Sequence, residues 1–194
     1  MIDFGALDRR PIVVAIAGPN GAGKTTFFRT YLSTAGLRFV NADLLAAELA
    51  TDPYEAARLA DALRRAMIDQ GESFIFETVF SDPVGDKIAF LEDAVHRGYT
   101  VMLFYIGIDN ARQSDERVAM RVLQGGHDVP SEKLQVRYVR TLDNLKAAIL
   151  RLPNVLVYDN GDLSTPYRQV AIFEKGQLRD LQEPVPEWLR PLLP

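Results

Sequence analysis

Short apolar runs alternate along the chain with longer stretches in which apolar residues recur every three to four positions. Six consecutive apolar residues at 12–17 predict a fully buried first strand. Similar runs predict strands at 38–40, 74–76, 101–108 and 155–158. Alternation of buried strands with amphipathic helices is typical of a parallel sheet covered by helices. The predicted fold class is therefore α/β.

Capping and stop residues place the helices between these strands. Asp52 followed by proline predicts a helix start, and Gly71 marks the end of that helix. Ser81 begins a second predicted helix, which stops at Gly98, and Ser131 begins a third that reaches about residue 152. Residues 167–194 predict an edge strand followed by a proline-rich tail with a short helix.

Length and composition narrow the class of protein. The chain has 194 residues, which suits a single domain spanning 1–194. Its formal net charge of -4 argues against broad binding to nucleic acid or membrane surfaces, and it contains no cysteine for disulfides or thiolate metal sites. Residues 1–10 do not resemble a signal peptide, and no apolar stretch approaches the roughly 20 residues of a membrane span. We therefore expect a cytoplasmic protein without nucleic-acid or membrane partners.

Directly after the first strand, residues 18–25 match the pattern G-x-x-x-x-G-K-[ST]. Chance gives this pattern in about 1% of chains of this length. The predicted strand before it and helix after it make a chance match less probable still. Glycines let main-chain amides surround phosphates at a helix N-terminus. Lys24 should bridge the β- and γ-phosphates, and the Thr25 hydroxyl should ligate Mg²⁺. The predicted cofactors are ATP or GTP with Mg²⁺, bound by Gly18, Pro19, Asn20, Gly21, Ala22, Gly23, Lys24, Thr25 and Thr26.

Acidic and hydroxyl side chains follow the other predicted strands. Ligands of doubly wound sheets bind at the carboxyl ends of the strands, where Asp43, Glu77, Thr78, Asp109 and Asp159 are expected to lie. Asp43 is well placed to accept a proton from a substrate hydroxyl, which makes it a candidate catalytic base. The alternative is that it caps the helix beginning near residue 44.

The other strand-end residues also have two interpretations. Glu77 either holds Mg²⁺ through water or grips substrate hydroxyls, and it is otherwise an exposed acid. Thr78 is a substrate contact or an ordinary turn former. Asp109 is more plausible as a helix cap than as an outer Mg²⁺ ligand.

A polar, arginine-bearing segment at about 110–130 predicts a helical lid. Arg117 and Arg121 are four residues apart and share one helix face, from which they would neutralise charge on a transferred phosphoryl group. The alternative is a solvated charged face. His127, in a glycine-containing turn that would serve as a hinge, is a candidate phosphate or substrate contact, with a simple capping role as the alternative.

In this order, the motifs resemble those of the zeta-toxin family of P-loop kinases, in particular its predicted-ATPase branch. The matching segments are 18–25, 41–43, 76–78, 98–99, 116–118, 125–130, 137–138 and 159–160.

The resemblance implies ATP- or GTP-dependent phosphorylation of a hydroxyl of a UDP-activated amino sugar such as UDP-N-acetylglucosamine. It implies that Asp43 is the catalytic base, Glu77 a substrate-gripping acid and Arg117 a phosphate-contacting lid arginine. It also implies a separate antitoxin protein as partner. The chain departs from the best-studied toxins at Thr78, where they carry glycine. It also lacks a clean match to their second lid arginine, for which Arg121 and His127 are the nearest basic residues.

Two other functions remain open from the sequence. A phosphotransferase with the same chemistry would act on an antibiotic or a nucleoside. A nucleotide-dependent regulatory ATPase would hydrolyse ATP only incidentally, although the sequence shows no coiled coil or nucleic-acid module to support this reading.

Overall fold

A seven-stranded sheet organises the fold. The computed structural model describes residues 8–123 and 130–194, without the side chain of Arg121. The strand order is β2-β3-β1-β4-β5-β6-β7; the first five strands are parallel, and β6 and β7 are antiparallel. The strands are β1 (Ile12–Ala17), β2 (Arg38–Val40), β3 (Phe74–Thr78), β4 (Thr100–Gly107), β5 (Asn154–Asp159), β6 (Arg168–Glu174) and β7 (Gln177–Leu181).

Helices connect the parallel strands. The longest is α6, which begins at Ser131 as the sequence predicts. The helices are α1 (Lys24–Phe27), which continues as a π-helix (Phe28–Leu32) and a 3-10 turn (Ser33–Ala35), α2 (Ala42–Leu49), α3 (Pro53–Asp69), α4 (Asp86–His96), α5 (Ala111–Leu123) and α6 (Ser131–Arg151). Among the residues that the structure describes, no helix is long and apolar enough to cross a bilayer.

Strand β1 lies at the centre of the sheet, between β3 and β4. All six of its residues are fully buried, because helices cover both faces of a parallel sheet. Val13, Ala15 and Ala17 face one apolar cluster, and Ile12, Val14 and Ile16 face another. The continuous apolar run therefore encodes a two-sided core, and the predicted α/β fold class is confirmed.

The predicted helix start at Ser81 is wrong, since α4 begins at Asp86. The preceding segment is held as a loop by Asn144 Nδ2, which donates to the carbonyl oxygens of Phe80 and Asp82 at 2.9 Å each. Gly85 then adopts φ 76°, a left-handed conformation that favours glycine. Long-range side-chain contacts thus displace the start that the local signal suggests.

The C-terminal region contains a hairpin where the sequence analysis predicts a single edge strand. Lys175 and Gly176 join β6 to β7, and their φ values are 49° and 77°. Two residues with positive φ are typical of the tight turns that match the twist of paired strands. The Lys-Gly pair was the available signal for the second strand.

Candidate active site

The loop between β1 and α1 has a backbone that requires its glycines. Gly21 and Gly23 have φ values of 73° and 87°, and Gly18 has φ 143°. A Cβ added at Gly18 would lie 2.1 Å from the Ile106 carbonyl oxygen on β4. A Cβ at Gly23 would lie 2.6 Å from the Tyr167 hydroxyl. Steric contacts as well as conformation therefore exclude larger residues from these positions.

Side chains hold the carbonyl oxygens of this loop from residue 19 to residue 23. These contacts fix the orientation of five consecutive peptide units, in each of which the C=O and N–H point in opposite directions. The Ala22 amide donates to Pro19 O at 3.3 Å. The donors are Lys24 Nζ to Pro19 O (3.0 Å), Ser114 Oγ to Asn20 O (2.7 Å), Arg117 Nη1 to Gly21 O (3.5 Å), Asn160 Nδ2 to Ala22 O (2.9 Å) and Tyr167 OH to Gly23 O (2.9 Å).

Two cavities adjoin at the carboxyl ends of the strands. The first, the phosphate-loop cavity, has a volume of about 260 Å³ and the second, the acceptor cavity, about 210 Å³. Asp43, Glu77 and Val79 line both. The phosphate-loop cavity is otherwise lined by Asn20, Gly21, Gly23, Lys24, Thr25, Thr26 and Arg117. The acceptor cavity is otherwise lined by Asn41, Ala42, Ala57, Arg64, Thr78 and Lys87.

The Glu77 carboxylate connects the phosphate loop to helix α2. Its Oε2 accepts hydrogen bonds from Thr25 Oγ1 and Asn41 Nδ2, both at 2.7 Å, and its Oε1 lies 3.9 Å from Lys24 Nζ. Lys24 itself is only 5% exposed. Of the two roles that the sequence leaves open for Glu77, this position favours support of a cation beside Thr25.

The residues around Thr25 suit a magnesium ion bound together with a nucleotide. Mg²⁺ prefers oxygen ligands and commonly binds through one or two protein groups plus substrate phosphates. The Thr25 hydroxyl and the Glu77 carboxylate supply such oxygens. Within residues 8–123 and 130–194, no group of three or more acidic, histidine or cysteine side chains forms a self-contained metal site. The donor set thus fits an ion shared with phosphate.

Asn41, rather than Asp43, caps helix α2. Asn41 Oδ1 accepts from the backbone N–H groups of Asp43 at 2.8 Å and Leu44 at 3.1 Å. The capping alternative for Asp43 is therefore wrong. Asp43 instead occupies the first helical turn, where its side chain lines both cavities. That is where a base between a nucleotide and an acceptor would need to be.

Helix α5 lies against the phosphate loop. Arg117 donates from Nη2 to Gly161 O at 3.0 Å and contributes to the lining of the phosphate-loop cavity. Burial lowers the pKa of Arg117, against the opposing effect of nearby Asp109. Ser114, which is 1% exposed, anchors the same helix to the loop. The alternative of a solvated charged face thus does not apply to Arg117. The predicted roles of the Arg121 side chain and of His127 lie outside the described residues.

The sequence predicts that three further strand-end residues face the binding cleft, namely Thr78, Asp109 and Asp159. Thr78 Oγ1 accepts from Phe80 N at 3.1 Å, as a turn former does, while the residue also lines the acceptor cavity. Asp159 Oδ1 instead accepts from Trp188 Nε1 at 3.1 Å, in the C-terminal tail. Asp109 lines neither cavity, and burial followed by the Asp159 charge raises its pKa. Neither aspartate lines either of the two cavities described above.

Asn110 occupies the capping position for which Asp109 was the candidate. Its Oδ1 accepts from Gln113 N at 2.9 Å at the start of α5. Asp109 instead donates its backbone N–H to Gln113 Oε1 at 3.0 Å.

Several residues of the site were given no role from the sequence. Asn160 directly follows β5 and lies in the matching segment 159–160, so the strand-end rule could have assigned it one. Arg64 shares the buried face of α3 with Ala60 and Met67, and a cation at a core position is itself a signal. Ser114 and Tyr167 gave no comparable signal, because their roles depend on where α5 and β6 pack.

Comparisons with known proteins found matches both in sequence and in structure. The zeta toxin family model matches residues 35–170, more than half of the chain. An uncharacterized protein of Haemophilus influenzae is 29% identical over 126 residues, which cover 62% of this chain and 88% of that protein. The phosphate loop precedes the range matched by the family model.

Two solved structures share the fold. The structure of AvrRxo1-ORF1:-ORF2 with ATP superposes with a TM-score of 0.69 at 19% identity, covering 90% of this chain and 63% of that one. The PezAT chromosomal toxin-antitoxin system of Streptococcus pneumoniae gives a TM-score of 0.58 at 18% identity, covering 78% and 68%. The chain thus spans just under two thirds of the AvrRxo1-ORF1 structure.

Proposed function

Because the chain belongs to the zeta toxin family, we propose that it is an ATP- or GTP-dependent kinase that phosphorylates a hydroxyl group of a small molecule. The observation that carries this proposal is the pair of adjoining cavities with Asp43 in the wall of both. One cavity has the phosphate loop as its lining, and the other has room for a separate acceptor. A nucleotide-binding protein without an acceptor would not need the second cavity.

The chain's own residues supply the parts that phosphoryl transfer needs. Lys24 and the loop amides would hold the β- and γ-phosphates, and Thr25 and Glu77 would hold Mg²⁺, which would supply charge neutralisation at the phosphates. Asp43 accepts the proton of the acceptor hydroxyl while the hydroxyl oxygen bonds to the γ-phosphorus. The bond between that phosphorus and the bridging oxygen breaks, and the nucleoside diphosphate leaves. Arg117, in the lining of the phosphate-loop cavity, would offset charge that develops on the transferred group.

We propose a UDP-activated amino sugar, such as UDP-N-acetylglucosamine, as the acceptor. The family resemblance motivates this choice, and Asp43, Glu77 and Thr78 all line the acceptor cavity. Transfer to an antibiotic or a nucleoside is the alternative with the same chemistry. A regulatory ATPase is less well supported, since it gives no role to a cavity that adjoins the phosphate loop at Asp43.

The proposal extends to partners and location. The PezAT similarity supports a separate antitoxin as binding partner. We further propose that residues 1–194 act as one kinase unit with a lid at about 110–130, and that the protein works in the cytoplasm, where ATP is abundant.

Product mass after incubation with ATP and Mg²⁺ tests the proposed function. The panel contains nucleotide sugars, free amino sugars, nucleosides and aminoglycoside antibiotics. We expect one nucleotide sugar to gain the mass of a phosphoryl group, with stoichiometric ADP. Phosphorylation of a nucleoside or an antibiotic would show that this compound, and not a nucleotide sugar, is the acceptor. ADP formation without any phosphorylated product across the panel would favour the regulatory ATPase.

A further inference from the structure

Two cationic side chains line the acceptor cavity but not the phosphate-loop cavity. Arg64 comes from the buried face of α3, and Lys87 comes from the first turn of α4. The part of the lining that the two cavities share carries the carboxylates of Asp43 and Glu77. The acceptor cavity is therefore bipolar, with carboxylates toward the phosphate loop and cations on the remaining wall.

Arg64 is unusual for a residue of a helix core. It is 5% exposed, its guanidinium lies 4.9 Å from the centre of the Phe76 ring, and its Nη2 donates to Asp61 Oδ1 at 2.7 Å. Its buried Nε has no hydrogen-bond partner among the described residues. A buried guanidinium with an unsatisfied donor is costly, and an apolar residue would pack here at lower cost. The presence of arginine at this position therefore points to a use beyond stability.

One acidic residue, Asp61, pairs with both of these cations. Asp61 Oδ1 accepts hydrogen bonds from both Arg64 and Lys87, the latter at 2.8 Å, so one carboxylate forms ion pairs with both cations of the cavity. Burial raises the pKa of the Asp61 carboxyl, but hydrogen bonds from Lys87 and Arg64 outweigh it and hold that pKa well below its usual range. Asp61 thus stays ionised and fixes both cations in place.

We propose, building on the kinase function above, that the acceptor is a phosphate ester whose phosphate group binds to Arg64 and Lys87 while its hydroxyl lies at Asp43. A guanidinium and an ammonium held in advance beside a cavity are well suited to a phosphate. Fixing the anion at one end of the cavity orients the hydroxyl at the other. Neutral alcohols of the same size lack this second anchor, so the pair determines specificity.

Calorimetric titration tests this assignment without requiring turnover. The phosphate loop is first saturated with a non-hydrolysable ATP analogue and Mg²⁺. N-acetylglucosamine 1-phosphate and neutral N-acetylglucosamine are then titrated as a matched pair. We expect the phosphate ester to bind at least about tenfold more tightly, the size of a charge-assisted hydrogen bond.

Three variants locate the preference. Lys87→Gln, at a partly exposed site, and Arg64→Lys, which keeps the charge but loses the guanidinium, should each remove most of the preference. Arg65→Gln is the matched control, because Arg65 also pairs with Asp61, at 3.3 Å, but does not line the acceptor cavity. It should keep the preference.

Equal or undetectable binding of both compounds by the unmodified protein would overturn the assignment. An equal loss in Arg65→Gln would do the same, because it would indicate a diffuse charge effect. The outcome is separable from the kinase proposal. A preference for the phosphate ester, with no phosphorylated product from any acceptor, would support the anion site and refute the kinase function. Efficient phosphorylation of neutral sugars would support the kinase function and refute the anion site.

Discussion

Replacing Lys24 by alanine is expected to abolish detectable ATP binding while the protein remains folded. The buried ammonium lies within 3.0 Å of Pro19 O and 3.9 Å from Glu77 Oε1, at the phosphate-loop cavity. Without it, the triphosphate would lose its contacts with the buried ammonium, while the neighbouring Glu77 carboxylate would remain. Losing two charge-assisted contacts corresponds to roughly 4 kcal/mol, or about a thousandfold in affinity.

Calorimetry with a non-hydrolysable ATP analogue measures this effect, and circular dichroism monitors the fold. Glu77 keeps its hydrogen bonds from Thr25 and Asn41 in the variant, so the local structure should survive. Lys175→Ala, in the exposed β6–β7 turn, is the matched control for loss of a lysine. Normal ATP affinity in a folded Lys24→Ala protein would refute the proposed phosphate site.

Replacing Asp43 by asparagine is expected to reduce phosphoryl transfer by about a thousandfold, within the usual range for a general base. Asparagine preserves size and polarity but does not accept the hydroxyl proton. Nucleotide affinity should change little, because the loop amides, Lys24 and Thr25 remain. Stability should also change little, since Asn41 provides the cap of α2.

Single-turnover measurement of phosphorylated acceptor separates this step from binding. The acceptor is the compound identified by product mass. Glu48→Gln provides a control, because Glu48 is an exposed acid on the same helix and lines neither cavity. An unchanged transfer rate in Asp43→Asn would exclude a catalytic role for that carboxylate.

Local sequence signals predicted the features that depend on neighbouring residues. The run at 12–17 encodes β1 because every residue in a central parallel strand is buried. The phosphate loop was predictable for a similar reason, since its glycines are required by the local backbone as well as by close packing. The start of α3 at Asp52 and Pro53 also follows from local capping.

Features that depend on distant contacts were not predictable in this way. The late start of α4 requires Asn144 on α6, and the support of the phosphate loop by Tyr167 requires β6. Asp43 and Asn41 show the limit most clearly. Both are good capping residues two positions apart, and only the structure shows that the asparagine caps while the aspartate lines the cavities.

A crystal structure with a non-hydrolysable ATP analogue, Mg²⁺ and the identified acceptor would test the central claim most directly. We predict that the triphosphate lies on the loop amides with Lys24 at the γ-phosphate. The acceptor hydroxyl should lie within hydrogen-bond distance of Asp43 and in line with the γ-phosphorus. A triphosphate bound elsewhere, or an acceptor hydroxyl remote from Asp43, would contradict the account.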